Sequence, residues 1–356
     1  MITRLITRDS LKRLIFNILP NFQVIAPVSG EKISLFKRIS AYEEIDWSER
    51  YITRPAKEFL FPAAEDLFQF RIKNKEVLLS EPSSHHGQKI ILGIKPCDAA
   101  GLKILDQVLL HDGIDLPYIS LRENTLLIGQ LCQEPGKYCF CTSVGIHPHD
   151  YHNMDLMLAD LGEDQILVQV VSRKGEEFIS YFPGFFKDAD STTCHTPGQS
   201  KEISSYLKGG RLFDAQIVKD WLDKNFENPI WSKISTQCLG CGACTFFCPT
   251  CYCFDIADES IIYREESYQG VRRRVWNSCS FGHSSQISSY LPVSCKDLKF
   301  RQRVMHKFTY FVDRFQQPAC VGCGRCRHLC PVGIDILQVL EAIQTMHSHS
   351  HEVKQV

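Results

Sequence analysis

Apolar and polar positions along the first half of the chain predict alternating helices and strands. Residues 9–19 begin with a capping residue, carry apolar side chains at helical spacing and end at Pro20, so they predict a helix. Unbroken apolar stretches at 89–94 and 126–131 predict buried strands, and a helical pattern begins at Asp98 between them. This order predicts a βαβ crossover with two parallel strands.

Shorter segments extend the same pattern. We expect strands at 22–27, 33–36 and 165–171, and a helix at 215–222 that leads towards the C-terminal part of the chain. A closing amphipathic helix follows Pro331, because apolar residues recur there at helical spacing.

The C-terminal part contains two copies of one cysteine pattern, C-x2-C-x2-C-x3-C-P. The cysteines are Cys238, Cys241, Cys244 and Cys248 in the first copy and Cys320, Cys323, Cys326 and Cys330 in the second. This spacing is the bacterial ferredoxin signature of a [4Fe–4S] cluster, in which the fourth cysteine usually serves the other cluster. Structural zinc favours paired C-x2-C motifs separated by a spacer. Disulfides require an oxidising compartment, and the N-terminus lacks the apolar core of a signal peptide.

We therefore expect an α+β protein of two parts. Residues 1–225 form an N-terminal α/β domain, and residues 226–346 form a mostly helical domain of the dicluster ferredoxin type. A long insertion at 254–315, rich in arginine and aromatic residues, separates the two cysteine runs. Residues 347–356 form a polar tail.

Composition narrows the functional classes. The chain of 356 residues is long enough for two domains with cores of their own, and 44% hydrophobic and 23% charged residues are typical of globular proteins. The net charge of -1 offers no overall attraction to nucleic acid, and no apolar stretch is long enough to span a bilayer. We expect a cytoplasmic protein that uses its 17 cysteines for metal rather than for cross-links.

Five further cysteines fall in the N-terminal domain, and four of them are placed together, namely Cys97, Cys132, Cys139 and Cys141, with Cys194 left over. Cys97 stands at the end of one predicted parallel strand, just before a helix, and Cys132 ends the next strand in the same way. Ligands of open α/β sheets collect at the carboxyl ends of neighbouring strands, and the other two cysteines follow on the next loop. The four thiols predict a third [4Fe–4S] cluster, or they are small buried residues of the core.

Two groups in or beside the insertion allow more than one interpretation. One group consists of four cysteines, which are Cys251, Cys253, Cys279 and Cys295. Their spacing matches no metal-binding signature, and their role stays open. The other group is the triplet Arg272, Arg273 and Arg274, which either docks the carboxylates of a partner or forms a solvated face.

Several short motifs resemble those of one family over nearly the whole chain. They are Pro55-x-Lys57-Glu58-x-Leu60-Phe61-Pro62, Lys95-Pro96-Cys97-Asp98, Cys139-Phe140-Cys141-Thr142-Ser143, Cys248-Pro249-Thr250-Cys251-Tyr252-Cys253-Phe254, Arg273-Arg274-x-Trp276-x-Ser278-Cys279, His306-Lys307-Phe308 and Cys320-Val321-Gly322-Cys323-Gly324-Arg325-Cys326. On these motifs the chain resembles the A subunit of anaerobic sulfite reductases and the β subunit of sulfhydrogenase-type soluble NiFe hydrogenases. The family tends to carry glycines between Cys279 and Arg301, whereas this chain has a serine-rich segment and Cys295.

The resemblance implies an iron–sulfur electron-transfer subunit. Such a subunit works with a flavin- and NAD(P)-binding partner and with a separate catalytic subunit, either a hydrogenase or a sulfite reductase. Carried over by position, one cluster is bound by Cys238, Cys241, Cys244 and Cys330. The other is bound by Cys320, Cys323, Cys326 and Cys248. The expected cofactors are two [4Fe–4S] clusters, with a third if the N-terminal cysteines bind one.

Two functions fit the sequence. An electron relay needs no side chain that acts as acid, base or nucleophile, because the cofactors carry the redox change. The chain lacks the G-x-G-x-x-G turn of a dinucleotide site, so a partner must deliver the electrons. The alternative is a self-contained reductase that binds a small substrate at an N-terminal cluster. Its candidate proton donors are Asp98, His147, His149 and Asp150.

Overall fold

Two β-sheets and the helices around them make up the part of the chain that the computed structural model describes, which is residues 2–31, 33–47, 52–73, 76–81, 87–111, 113–189, 201–264, 267–281 and 296–352. The strands are β1 (Ile2–Thr7), β2 (Gln23–Ser29), β3 (Ser34–Arg38), β4 (Ala64–Lys73), β5 (Glu76–Ser80), β6 (Lys89–Ile94), β7 (Thr125–Gln130), β8 (Leu156–Gly162), β9 (Gln165–Val170), β10 (Lys187–Asp188), β11 (Phe254–Arg264) and β12 (Ser267–Trp276). The α-helices are α1 (Arg8–Ile18), α2 (Pro96–Leu109), α3 (Leu116–Glu123), α4 (Arg173–Tyr181), α5 (Lys201–Lys208), α6 (Ala215–Lys224), α7 (Ile230–Ser235), α8 (Ala243–Phe246), α9 (Lys296–Met305), α10 (Phe311–Phe315), α11 (Arg325–His328) and α12 (Ile336–Glu352).

The larger sheet has eight strands in the order β10-β1-β9-β8-β7-β6-β2-β3. Its four central strands, β2, β6, β7 and β8, are parallel, and the outer strands pair antiparallel. The predicted parallel pair is confirmed, because β6 pairs with β7 with Ile90 opposite Leu126, and α2 and α3 connect the two strands. The predicted strands β2, β3 and β9 and the predicted helices α1 and α6 also form.

Both faces of the larger sheet are covered by helices. On one face Ile91 and Leu127 pack with residues of α2 and α3. On the other face Ile90 and Ile128 pack with α1, whose buried residues recur at helical spacing. Parallel strands that are buried on both faces need apolar residues at every position, which explains the unbroken apolar stretches in the sequence.

The smaller sheet joins distant parts of the chain in the order β11-β12-β4-β5. The insertion contributes the hairpin β11–β12, and β12 pairs antiparallel with β4 of the N-terminal part, with Val271 opposite Gln69. The sequence analysis predicted none of these four strands. The division of the chain at residue 225 stays a prediction, and this sheet crosses it.

The arginine triplet of β12 pairs with carboxylates of the same chain. The pairs are Arg272 with Asp258, Arg273 with Asp66 and Glu259, and Arg274 with Glu65 and Asp115. The side chain of Arg274 is only 3% exposed, and Asp115 also caps α3 by accepting from the Tyr118 backbone N–H. All three charges are thus paired within the chain. Arg272 and Arg273 remain partly exposed in their pairs, which agrees with the solvated face, and docking to a partner stays a prediction. Arg273 and Arg274 tie the hairpin to the N-terminal part.

Helices of the C-terminal part enclose a separate core. Val218 and Trp221 of α6 pack with Phe308, Leu340 and Ile343. Phe308 lies in a π-helical turn, His306–Tyr310, between α9 and α10. The predicted closing helix forms as α12. Within the described ranges, no helix has the length and apolar character needed to cross a membrane.

We predict that Arg274→Met destabilises the fold strongly, because Glu65 and Asp115 would remain without their cation. Removing one partner of a buried ion pair costs about 3–5 kcal/mol, and chemical denaturation measures the change in the free energy of unfolding. The matched control is Arg272→Met on the same strand, which breaks an exposed pair and should leave that free energy nearly unchanged. Equal losses in the two variants would contradict this account of the smaller sheet.

Candidate metal centre

The first cysteine run lines a cavity of about 490 Å³. Its wall includes the four cysteines that the resemblance assigns to one cluster, which are Cys238, Cys241, Cys244 and Cys330, together with Cys326. The backbone N–H of Gly240 donates to Cys238 Sγ (3.4 Å), and that of Ile334 donates to Cys330 Sγ (3.2 Å). The structure thus brings this ligand set together around a volume far larger than a single ion needs.

Left-handed glycines shape both cysteine loops. Gly240 and Gly242 have φ angles of 69° and 73°, and Gly322 and Gly324 have 60° and 71°. Residues with a Cβ avoid this region. The glycines therefore let each loop turn tightly and direct backbone amides towards the sulfur atoms, as a cluster-binding loop requires.

The second ligand set also converges. Burial raises the pKa of the Cys320 thiol to about 11 against the opposing effect of Lys307, and the nearby Cys248 adds to the rise. Burial likewise raises the pKa of Cys323 and of Cys326, and Cys248 lies close enough to add to both shifts. Buried thiols of this kind stay neutral unless a metal binds the thiolate.

Cys248 differs from the three thiols that surround it. A hydrogen bond from the Cys251 thiol lowers the pKa of Cys248 well below its usual value, although burial opposes the shift, and Lys307 and Arg303 lower it further. Lys307 Nζ lies 3.4 Å from Cys248 Sγ. These surroundings favour the thiolate form of Cys248, the form that binds iron.

The four N-terminal cysteines meet at the carboxyl edge of the larger sheet. Cys97 lies in the first turn of α2 directly after β6, and Cys132 follows β7. Burial raises the pKa of Cys139, and Cys141 and Cys132 are close enough to add to the rise. Cys97 also lies near Cys139. The structure therefore gathers these thiols, and their role as ligands stays a prediction.

The N-terminal cysteine loop packs directly against the second cysteine run. The Phe140 backbone N–H donates to Gly322 O (2.7 Å), and Cys139 Sγ donates to Cys323 O (3.7 Å). A Cβ on Gly322 would lie 2.5 Å from the Cys141 backbone nitrogen, which no real contact allows. The sequence analysis missed this contact, because nothing in the local spacing relates two loops so far apart.

A buried ion pair reinforces the same junction. Arg325, which follows Gly324, donates to both carboxylate oxygens of Asp98 at 2.6 and 2.8 Å, and its Nε donates to Ile52 O at 2.8 Å. Asp98 is 1% exposed. Its carboxylate neutralises a buried cation, so it is not available as the proton donor that the reductase alternative requires.

The other candidate proton donors are not gathered into one acid–base site. Asp150 pairs with His152 at 2.7 Å. Burial lowers the pKa of His149, and the neighbouring His147 lowers it further. His149 Nε2 is buried without a hydrogen-bond partner. Of the four candidate proton donors, only His147 and His149 are left without an ion-pair partner among the described contacts, and both lie on one loop.

Three buried cations surround the segment that follows the first cysteine run, and the sequence analysis gave them no role. Lys57 Nζ donates to Cys251 O (2.7 Å) and lies 4.2 Å from the centre of the Trp276 ring. Arg303 Nη1 donates to Cys251 Sγ (3.6 Å). The third cation is Lys307. Lys57 and Lys307 belong to the motifs on which the resemblance rests, and those motifs could have pointed to both residues.

The remaining cysteines beside the insertion lie close to these cations. Cys253 has Cys279 and Lys57 as electrostatic neighbours, and burial raises its pKa. Cys279 Sγ lies 4.0 Å from Thr245 Oγ1, next to the first cysteine run. Cys295 lies outside the described residues. No group of His, Cys, Asp or Glu in the described ranges closes tightly enough for a single metal ion.

Comparisons with known proteins agree with the cysteine pattern. A family model described as a 4Fe-4S dicluster domain matches residues 237–334. The sulfhydrogenase 2 subunit beta of Pyrococcus furiosus is 29% identical over 333 residues, which cover 90% of this chain and 92% of the relative. No solved structure matches. The chain therefore carries a dicluster domain, which supports iron–sulfur clusters as its cofactors.

We predict that Gly322→Ala destabilises the protein more than Gly145→Ala. Both glycines have positive φ, which costs a residue with a Cβ about 1–2 kcal/mol. The added methyl meets nothing within 4 Å at Gly145, but it overlaps the Cys141 backbone at Gly322, where overpacking adds about 1–3 kcal/mol. Denaturant unfolding measures both losses. Equal losses of unfolding free energy in the two variants would show that the contact between the two loops contributes nothing to stability.

Proposed function

Because the chain is homologous to a sulfhydrogenase β subunit and carries a 4Fe-4S dicluster domain, we propose that it is the iron–sulfur electron-transfer subunit of a multi-subunit hydrogenase-type oxidoreductase. It relays electrons between a flavin- and NAD(P)-binding partner and a catalytic subunit. The observation that supports the proposal is the placement of the two fourth cysteines. Cys330 lines the cavity of the first run, and Cys248 lies close to Cys326 of the second, as expected when each run is completed by the fourth cysteine of the other.

The ligand sets proposed for the two clusters are those of the resemblance. Cys238, Cys241, Cys244 and Cys330 hold one [4Fe–4S] cluster, and Cys320, Cys323, Cys326 and Cys248 hold the other. The cavity, the left-handed glycines and the amide donors to Cys238 and Cys330 all suit such a group. Bound there, the clusters supply one-electron chemistry. The protein positions the sulfur ligands, excludes water and sets the local charge.

The N-terminal cysteines Cys97, Cys132, Cys139 and Cys141 hold a third [4Fe–4S] cluster. Their convergence at the ends of β6 and β7 supports this, since ligands of open α/β sheets collect there. The contact between Phe140 and Gly322 supports a relay as well, because it sets the third ligand set directly beside the second. The N-terminal part would then be a section of the electron path and not merely its support.

We expect about twelve irons and twelve acid-labile sulfides per chain after anaerobic purification. Cys139→Ser should lower both to about eight, while the matched control Cys253→Ser, a nearby cysteine outside the three sets, keeps about twelve. Chemical analysis and low-temperature EPR spectra of the reduced protein measure the result. About eight irons in the unaltered chain would remove the third cluster and keep the other two. A chain with little iron and zinc in its place would overturn the electron-transfer proposal.

The relay itself is tested in the assembled complex with its partner subunits. Cys244→Ser removes one ligand of the first set, so we expect hydrogen-dependent reduction of NAD(P)⁺ to fall by at least about tenfold. Reduction of a small dye that takes electrons at the catalytic subunit should stay close to its original rate. Retention of both activities would place this chain outside the electron path. Reduction of a small substrate by the purified chain with an artificial donor would instead favour the self-contained reductase.

A further inference from the structure

Three basic side chains are buried around the two ligand sets, and none has a carboxylate partner in the part of the chain that the structure describes. Arg303 lines the cavity of the first set, whereas Lys57 and Lys307 contact the segment from Cys248 to Cys251. Lys57, Arg303 and Lys307 are 2%, 6% and 3% exposed. The other buried guanidiniums, Arg274, Arg301 and Arg325, are all paired with carboxylates. An uncompensated buried charge is costly. Burial lowers the pKa of Lys57, which favours its neutral form. Arg303 and Lys307 donate to cysteine sulfur, so the negative charge that balances these two comes from the cysteine site itself.

Lys307 is the cation that is held most directly against a ligand sulfur. Its Nζ donates to Cys248 Sγ (3.4 Å), to Thr250 Oγ1 (2.8 Å) and to Ala319 O (2.8 Å). An ammonium group has three donors, so these contacts use all of them. Thr250 Oγ1 in turn donates to Ala319 O (2.8 Å), the carbonyl that precedes Cys320. Lys307 is thereby fixed between the end of the first cysteine run and the start of the second.

The backbone around Lys307 keeps the side chain in this position. The residue lies in the π-helical turn His306–Tyr310, and the Ala319 backbone N–H donates to Lys307 O at 2.8 Å. Single π-helical turns inside α-helices occur frequently at functional sites. Here the turn places Phe308 in the helical core while its neighbour Lys307 points at Cys248.

We propose that Lys307 sets the reduction potential of the cluster held by Cys248, Cys320, Cys323 and Cys326. The inference rests on the proposed function. A cluster bound by four thiolates is anionic and gains a further negative charge on reduction, so a fixed cation at the ligand sulfur favours the reduced form. A hydrogen bond to that sulfur acts in the same direction. Lys307 touches the ligand and not the iron, so it is a positioning residue that tunes the site.

The same device is absent from the described contacts of the first set. There the donors to sulfur are the backbone amides of Gly240 and Ile334. Arg303 also lines the cavity of the first set, but among the described contacts of the two ligand sets only Cys248 of the second set accepts a hydrogen bond from a side-chain cation. The two runs therefore differ in this hydrogen bond and not in the mere presence of a nearby positive charge. The charge of Lys307 raises the reduction potential of the cluster in the second set above the value that backbone amides alone would give it. Electrons are therefore retained longer at that cluster.

A redox titration of the full chain followed by EPR tests this role. The signal that disappears in Cys323→Ser identifies the second set. We expect Lys307→Met to lower the midpoint potential of that signal with iron content unchanged. Lys307→Arg keeps the charge, so its midpoint potential should stay close to that of the unaltered chain. Lys174→Met is the matched control, because Lys174 is a half-buried lysine that donates to Arg122 O and Thr125 O, and it should leave the second signal where it was.

Thr250→Val provides a second variant that conserves side-chain volume. It removes one acceptor of the Lys307 ammonium and also the hydroxyl that lies 3.1 Å from Cys248 Sγ. Because the ammonium and its charge remain, we expect a smaller shift in the same direction. An unchanged midpoint in Lys307→Met with full iron would overturn the proposal. Loss of the second cluster in both Lys307→Arg and Thr250→Val would also overturn it, since the contacts would then be structural. An iron-free unaltered chain would instead refute the proposed function, which keeps the two failures distinguishable.

Discussion

Five ionisable side chains are buried around the two cysteine runs, and any charge that they carry must be compensated inside the protein because water does not reach it. Asp98 and Arg325 compensate each other through two hydrogen bonds. Lys57, Arg303 and Lys307 instead face cysteine sulfur and backbone carbonyl oxygen. Since an isolated buried charge costs several kcal/mol, the surrounding structure has to bring thiolates to these cations. The arrangement of sheets and helices can be understood as meeting that requirement.

The larger sheet contributes to this charge compensation by presenting one edge to the cysteine-rich part. The carboxyl ends of β6 and β7 carry Cys97 and Cys132, and α2 begins there with Asp98 aimed at Arg325. The second cysteine run can pack closely against the N-terminal cysteine loop because residue 322 is a glycine. A side chain at that position would overlap the backbone of the loop. The N-terminal cysteine loop therefore lies directly against the second cysteine run.

The smaller sheet shows why part of the fold could not be predicted. Unbroken apolar stretches reveal β6 and β7, because both faces of those strands are buried. In β12 the triplet Arg272–Arg274 suggests a solvated surface, yet its charges are matched by carboxylates on β11, β4 and the N-cap of α3. Pairing between residues about two hundred positions apart leaves no periodicity for local reasoning to detect.

By itself, the sequence determined the cluster-binding pattern and the parallel core. Three closely spaced cysteines on one loop form most of a ligand set locally, and their spacing is therefore sufficient evidence of the chemistry. Tertiary structure decided which residues surround that chemistry. Lys307 reaches Cys248, and Gly322 meets Cys141, through contacts between distant segments. Such contacts depend on how helices and sheets pack, and packing brings together residues whose separation along the chain carries no signal.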